Sequence, residues 1–259
     1  MTKPMKHPSW YIYRAVCAVV RRLFPAPELT GMEKLPADRP CIIVGNHAQA
    51  YGPIYMELYL PRKRAIWCIA DMMHLRQVPD YAFRDFWSRK PLWCRWVYRL
   101  LSFVAAPLIV CVLKNARTIG VYRDSRVLNT MRESLERLKE GASIVIFPEH
   151  EVYRNGLVWE FQEGFVNLAR LYARRTGESI DFVPMYVAPR LRRVCFGDPI
   201  AYDPAADPGK EARRVCDALM DAVTELALAL PPHVAVPYPN LPKSSYISTD
   251  SMKGAPAGE

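Results

Sequence analysis

An α/β fold with a mostly parallel central sheet flanked by helices follows from three features of the sequence. Short apolar runs bounded by turn residues recur along the chain, and stretches of helical periodicity lie between them. At 259 residues and 51 % hydrophobic composition, the chain also carries enough apolar surface for one large core without disulfides or a structural metal. No internal repeat is present.

The elements follow in order. Residues 9–24, SWYIYRAVCAVVRRLF, place Trp10, Tyr13, Cys17, Val20 and Phe24 on one helix face, with Arg14, Arg21 and Arg22 beside or behind it. Such a helix either lies in a membrane interface, arginines on phosphates, or packs on the domain with its arginines in water. Pro25 and Pro27 end it, and a strand-like stretch, ELTGMEKL, follows. Buried strands are predicted at CIIVG (41–45), AIWCIA (65–70), TIGVY (118–122), SIVIF (143–147) and DFVPMYV (181–187). Helices are predicted over 125–140, with Leu128, Met131, Leu135 and Leu138 on one face and Gly141 as the stop, and over 161–175.

Two segments break this alternation. Residues 91–116 contain an uncharged run from Leu100 to Leu113, about 21 Å of helix against a bilayer core of roughly 30 Å, and Pro107 interrupts it. The segment is therefore expected to be a buried or interfacial hairpin, with Trp87, Trp93 and Trp96 favouring the interface. The tail from Pro231 is rich in Pro, Ser and Gly and is expected to be mostly extended or disordered.

Thirty-five Lys and Arg against 26 Asp and Glu give a net charge of +9, which suits an anionic partner. The arginines follow aromatics in amphipathic segments and no nucleic-acid motif is present, so an anionic bilayer fits better than nucleic acid. The seven cysteines are scattered among apolar residues with no CxxC pair. They read as buried thiols in a reducing compartment, not as a disulfide framework or zinc site, and no metal site is expected. No cleavable secretory signal is recognisable at the start, which makes the cytoplasm the expected compartment.

Polar clusters stand at two predicted strand ends. In VGNHAQAYGP, His47 follows a strand immediately, the place where α/β sheets put their sites. In IVIFPEHEVYRNG, another strand runs into Pro148, Glu149 and His150. Clusters about a hundred residues apart in sequence can converge at one sheet edge.

From about Leu29 to Ile200 the chain resembles the glycerophospholipid acyltransferase superfamily, that of 1-acylglycerol-3-phosphate acyltransferase. LTGMEKLPADRPCIIVGNH is similar to the approach to the first motif, a histidine followed five positions later by an aspartate. TIGVYRDS resembles the second motif, with Arg123 on its arginine. FPEHEVYRNGLVWEFQEGF resembles the third, matching at Phe147, Pro148, Glu149, Arg154, Gly156, Phe161 and Gly164. FVPMYV (182–187) resembles the fourth motif, and VCFGDPI (194–200) is similar to the strand that usually closes the domain.

The resemblance implies transfer of a fatty acyl group from acyl-CoA or acyl-carrier protein to a hydroxyl of a glycerol-phosphate-type lipid. His47 would be the general base, with no cofactor beyond the acyl thioester co-substrate. Asn46, Arg123, Arg154 and His150 would bind an anionic acceptor. The sequence departs from the family where Gly52 replaces the motif aspartate, Tyr122 the aspartate before the second-motif arginine, and His150, Glu151 and Val152 the glycine-threonine-arginine. Asp71, at a neighbouring strand end, is the expected substitute that orients His47, with Glu149 and Glu57 as lesser candidates. The alternative is a catalytically impaired lipid-binding relative.

The expected organisation is an amphipathic membrane-associating helix over 1–27, an acyltransferase-like α/β domain over 28–230 with a hydrophobic insert at 91–116, and a mostly disordered Pro-rich tail over 231–259. The protein is expected on the cytoplasmic face of a membrane, peripheral or monotopic.

Overall fold

The computed structural model describes residues 7–84, 91–239 and 241–253; Trp87 lies outside them. The chain forms α1 (Pro8–Leu23), β1 (Glu28–Thr30), β2 (Ile42–Gly45), α2 (Tyr51–Tyr59), β3 (Arg64–Ile69), α3 (Val78–Ala82), α4 (Arg95–Asn115), β4 (Ile119–Val121) and α5 (Val127–Lys139). There follow β5 (Ser143–Ile146), β6 (Glu149–Tyr153), β7 (Trp159–Phe161), α6 (Asn167–Thr176), β8 (Asp181–Ala188), β9 (Arg193–Phe196), β10 (Ile200–Ala201), α7 (Pro208–Ala229) and α8 (Thr249–Lys253). Two compact units result, Met1–Leu23 with Ala65–Glu133, and Phe24–Arg64 with Ser134–Glu259. The architecture is mixed α/β with mostly parallel strands flanked by helices, as the alternation of apolar runs and helical stretches predicts.

In the second unit the strand order is β1-β9-β8-β2-β5, with β10 on β8. β2 runs parallel to both β5 and β8, while β8 pairs antiparallel with β9 and β10. Ile42, Ile43 and Val44 are fully buried, which is why β2 reads as a continuous apolar run and not an alternating one. Gly45 ends β2 where a Cβ would stand 2.1 Å from the Met185 carbonyl oxygen, so only glycine lets β2 approach β8 there. Val44 faces Ile146 across the ladder. Carried forward three residues, that register brings His47 level with Glu149.

α7 packs on β8 and starts on a built cap. The Asp207 carboxylate accepts from the Gly209 and Lys210 N–H groups, and Pro208 occupies the first turn. β6 and β7 form a separate antiparallel pair. This pair takes the first residue of the stretch predicted as helix over 161–175, and α6 begins only at Asn167, after a short 3-10 turn.

In the first unit β3 and β4 pair in parallel. α1 packs on α4 and presents Trp10, Tyr13, Cys17 and Val20 as its less exposed face, the one read from the sequence. On α5, Met131, Leu135 and Leu138 are buried, but Leu128 is 69 % exposed.

Two expectations change. Residues 95–115 form one continuous helix, not a hairpin. Pro107 removes one backbone hydrogen bond, but the leucines and alanines around it are strong helix formers and carry the helix through. At 21 residues α4 is about 31 Å long, and it is the one helix among the described residues long and apolar enough to cross a membrane. The tail is also not a disordered strand of chain as far as residue 253. Val234 bridges Ser248, the Ala235 N–H donates to the Ile247 carbonyl, and His233, Ala235, Val236 and Thr249 are buried.

Candidate active site

His47 leaves the end of β2 into a strained turn. Ala48 and Gln49 take left-handed φ values of 45° and 57°, which side-chain-bearing residues seldom adopt. The turn closes when the Gly52 N–H donates to the His47 carbonyl over 3.1 Å, and α2 starts from it.

Glu149 braces this turn from β6. One carboxylate oxygen accepts from the His47 N–H at 2.6 Å and the other from the Trp159 N–H at 3.0 Å. Only 5 % of Glu149 is exposed, and burial pushes its pKa up to about 7, against the downward pull of those two N–H groups. The expected orienting role therefore falls on the backbone of His47 and not on its ring.

The ring itself has an apolar setting. Phe147 packs edge-on at 5.2 Å between centroids and 65°, and Tyr238 at 5.8 Å and 74°. The residue as a whole is half-buried, whereas its Nδ1 is sealed off without a hydrogen-bond partner. Burial lowers the ring's pKa from 6.5 to about 4, with a small opposing pull from the Gln49 backbone. The imidazole is thus neutral at any ordinary working pH.

Among the described residues no carboxylate meets Nδ1, and Gly52 shows why the motif aspartate is missing. A Cβ there would lie 2.6 Å from Cε1 of Phe147 and 2.8 Å from the His47 carbonyl oxygen. The phenyl ring already occupies that space. Asp71, expected to substitute, belongs to the first unit, where its charge acts on Arg126. That guanidinium also grips Asp124 and stacks on Tyr122, whose hydroxyl meets His74 at 3.1 Å. Glu57 is taken by Arg64 at 3.4 Å.

The expected acceptor-binding residues divide. Asn46 is buried with both ends of its amide on Val187: Nδ2 donates to the carbonyl and Oδ1 accepts from the N–H. It clamps β2 to β8 and does not face a ligand. Arg154 is surrounded by Asp221 at 2.9 Å, Asp217 at 3.3 Å and Glu160 at 3.6 Å, so its charge is already neutralised. His150 donates from Nδ1 to the Glu160 carbonyl at 2.7 Å, which fixes its tautomer and leaves Nε2 as an acceptor. Arg123 is exposed, in the first unit, with no ion pair among the described residues. No cluster able to hold a metal occurs among the described residues.

A hollow of about 430 Å³ lies near Leu35, Arg62, Lys63 and Gly141, at the amino ends of β2 and β5 and so away from His47. A smaller cavity of about 120 Å³ lies between the β6–β7 hairpin and the tail, lined by Tyr153, Gly156, Trp159, Pro237, Tyr246 and Ile247 among others. Tyr238, which touches His47, was invisible to sequence reasoning because nothing in an aperiodic Pro-rich tail marks one tyrosine from the next.

A histidine at a parallel strand end, seconded by a strand end carrying Phe-Pro-Glu, can be compared with known proteins. The acyltransferase family model matches residues 26–188. This chain belongs to the acyltransferase family. Its fold is similar to the crystal structure of the 1-acyl-sn-glycerophosphate (LPA) acyltransferase PlsC from Thermotoga maritima, with a TM-score of 0.52 at 16 % identity over 88 % of this chain and 86 % of that one. No curated protein matches the sequence significantly. Within the acyltransferase domain so defined lie His47, Asp71, Arg123, Glu149 and Arg154, whereas Tyr238 and the rest of the tail stand beyond the matched region.

Proposed function

We propose that this chain is a membrane-peripheral O-acyltransferase that moves a fatty acyl group from acyl-CoA or acyl-carrier protein to a hydroxyl of a glycerol-phosphate-type lipid. One observation carries the reading: within the family's matched region, a neutral imidazole stands at the end of β2 with its backbone braced by buried Glu149.

In the reaction, His47 takes the proton of the acceptor hydroxyl as its oxygen attacks the thioester carbonyl carbon. The tetrahedral adduct collapses with cleavage of the carbon–sulfur bond, and the imidazolium returns its proton to the departing thiolate. The products are the new oxygen ester and the free thiol, and no acyl-enzyme forms. Neutrality favours the first transfer and the low pKa favours the last. What the site lacks is a carboxylate to stabilise the imidazolium in between. In a serine-protease triad, loss of that group costs about 10⁴ in rate.

That deficit supports the second reading, an impaired relative that binds acyl lipid without turnover. The two separate on one assay: purified protein with a labelled acyl thioester and vesicles containing 1-acyl-sn-glycerophosphate. Label transferred to lipid by the wild type but not by His47→Ala supports the enzyme, and binding without transfer supports the relative.

Arg123 keeps the acceptor-phosphate role that its place on the family's second motif suggests, being exposed, whereas Arg154 is spent on carboxylates. Membrane attachment rests on the first unit, where α4 exposes Trp96, Leu100, Phe103, Val104 and Leu108 and the short turn before it exposes Trp93, while α1 exposes Tyr11, Ile12, Val19 and Leu23. On α4 these recur at steps of three and four, whereas Ser102, Ala106 and Val110 pack inward. One protein face and one apolar face fit a helix lying in the cytoplasmic leaflet.

A further inference from the structure

What holds the His47 ring in register? The usual means is a carboxylate on the far nitrogen, and here Nδ1 is buried without a partner while Phe147 fills the room above Gly52. Besides the Gln49 backbone, Phe147 and Tyr238 stand against the ring, both edge-on.

Tyr238 is itself held from three directions. The tail is tied together by the His233 N–H donating to Thr249 Oγ1 at 3.0 Å and the Thr249 N–H donating to the His233 carbonyl at 2.9 Å. It is tied to β8 because His233 Nδ1 donates to the Pro231 carbonyl, leaving Nε2 to accept from the Tyr186 hydroxyl at 2.9 Å. It is tied to the catalytic turn by Gln49, whose side-chain amide donates to the Tyr246 hydroxyl at 2.9 Å. At the β6–β7 loop, Ile247 sits where a Cβ on Gly156 would be, 2.1 Å from its Cδ1, so the glycine seats the tail. A segment fastened at both sides of residue 238 presents its ring to His47 at a fixed place.

We propose that Tyr238, supplied by a tail outside the family's matched region, is a positioning residue that works with Phe147 to orient His47 and keep water from its sealed side, in place of the missing carboxylate. The proposal rests on the reading of His47 as the base. It assigns the tail a part in the active centre.

The test follows the imidazole directly. The chain has five histidines, so subtraction of a His47→Ala spectrum identifies the His47 ring signal in proton NMR. Its titration is then measured in the wild type, Tyr238→Phe and Tyr238→Ala, with acyl transfer measured on the same samples and melting curves confirming that each is folded. The expected result is a low His47 pKa in the wild type and Tyr238→Phe, a rise by at least one unit in Tyr238→Ala, and a kcat at least tenfold lower in Tyr238→Ala with KM for the acyl thioester unchanged.

A His47 titration identical in Tyr238→Ala and the wild type overturns the proposal. So does a shifted titration with unchanged kcat, because the ring would then be a wall without a positioning role. Should the wild type transfer no label to any acceptor, it is the enzymatic reading that fails. The aromatic wall would still be supported by the titration shift, and it would be overturned if there were none.

Discussion

Restoring the family's aspartate at position 52 should damage the protein. A Cβ placed there meets Phe147 Cε1 at 2.6 Å, about 1 Å inside the carbon–carbon optimum, and the His47 carbonyl oxygen at 2.8 Å. The ring can swing, but the carbonyl is held by the Gly52 N–H it accepts from. Overpacking of this kind costs about 1–3 kcal/mol, and a carboxylate pressed against a phenyl face adds to it. At roughly 2–4 °C per kcal/mol for a chain of this size class, Gly52→Asp should melt several degrees below the wild type. Circular dichroism melts of Gly52→Asp, Phe147→Ala and the double variant form a cycle that isolates the clash. The aspartate should cost less in the Phe147→Ala background by about 1 kcal/mol or more. Equal costs in both backgrounds, or a Gly52→Asp melt that matches the wild type, would refute the idea that Phe147 took the carboxylate's place.

Stability should depend on pH in a way that single variants expose. His47, lowered from 6.5 to about 4, contributes stability that is present above pH 6.5 and lost as pH falls towards 4. Glu149, raised from 4.5 to about 7, contributes stability that is present below pH 4.5 and lost as pH rises through 7. The two oppose each other between about pH 4.5 and 6.5, so urea melts of Glu149→Gln should gain stability with rising pH there and those of His47→Ala should lose it. Parallel slopes in the two variants would contradict both assignments. Arg123→Ala should raise KM for a phosphate-bearing acceptor about tenfold or more with little change in kcat, as loss of a charged hydrogen bond worth roughly 1.5–3 kcal/mol requires, whereas Arg154→Ala should lower the melting temperature and leave that KM alone. Placing aspartates at the exposed Leu100 and Val104 should reduce sedimentation with anionic vesicles at least tenfold and leave the melt unchanged, since each leucine or valine buried in lipid contributes about 1.5–3 kcal/mol.

The frame of this protein was legible because its strands are short β-branched runs that only a buried sheet accommodates. CIIVG and SIVIF are the clearest, and their parallel register carries His47 to Glu149. The same local reading misjudged 91–116, because a proline weighs heavily in a sequence and little in a helix whose neighbours hold it. It also placed residues by motif without their partners. Arg154 matches a family position yet is consumed by carboxylates from β7 and α7, and Asn46 is consumed by Val187. Asp217, Asp221 and Val187 lie far along the chain, where spacing carries no signal. The substitution of Gly52 was visible in the sequence, but its reason was not. Phe147 is 95 positions away, and only the fold brings its ring over the vacancy.

One experiment bears on the imidazole as base more directly than the rest. Purified wild type and His47→Ala, matched for folding by their melts, are given a labelled acyl thioester and vesicles holding a monoacyl glycerol phosphate, and labelled lipid is followed with time. Linear formation of diacyl product by the wild type, reduced at least a hundredfold by the substitution, is the predicted outcome. Equal rates for both proteins would show that some other group moves the proton.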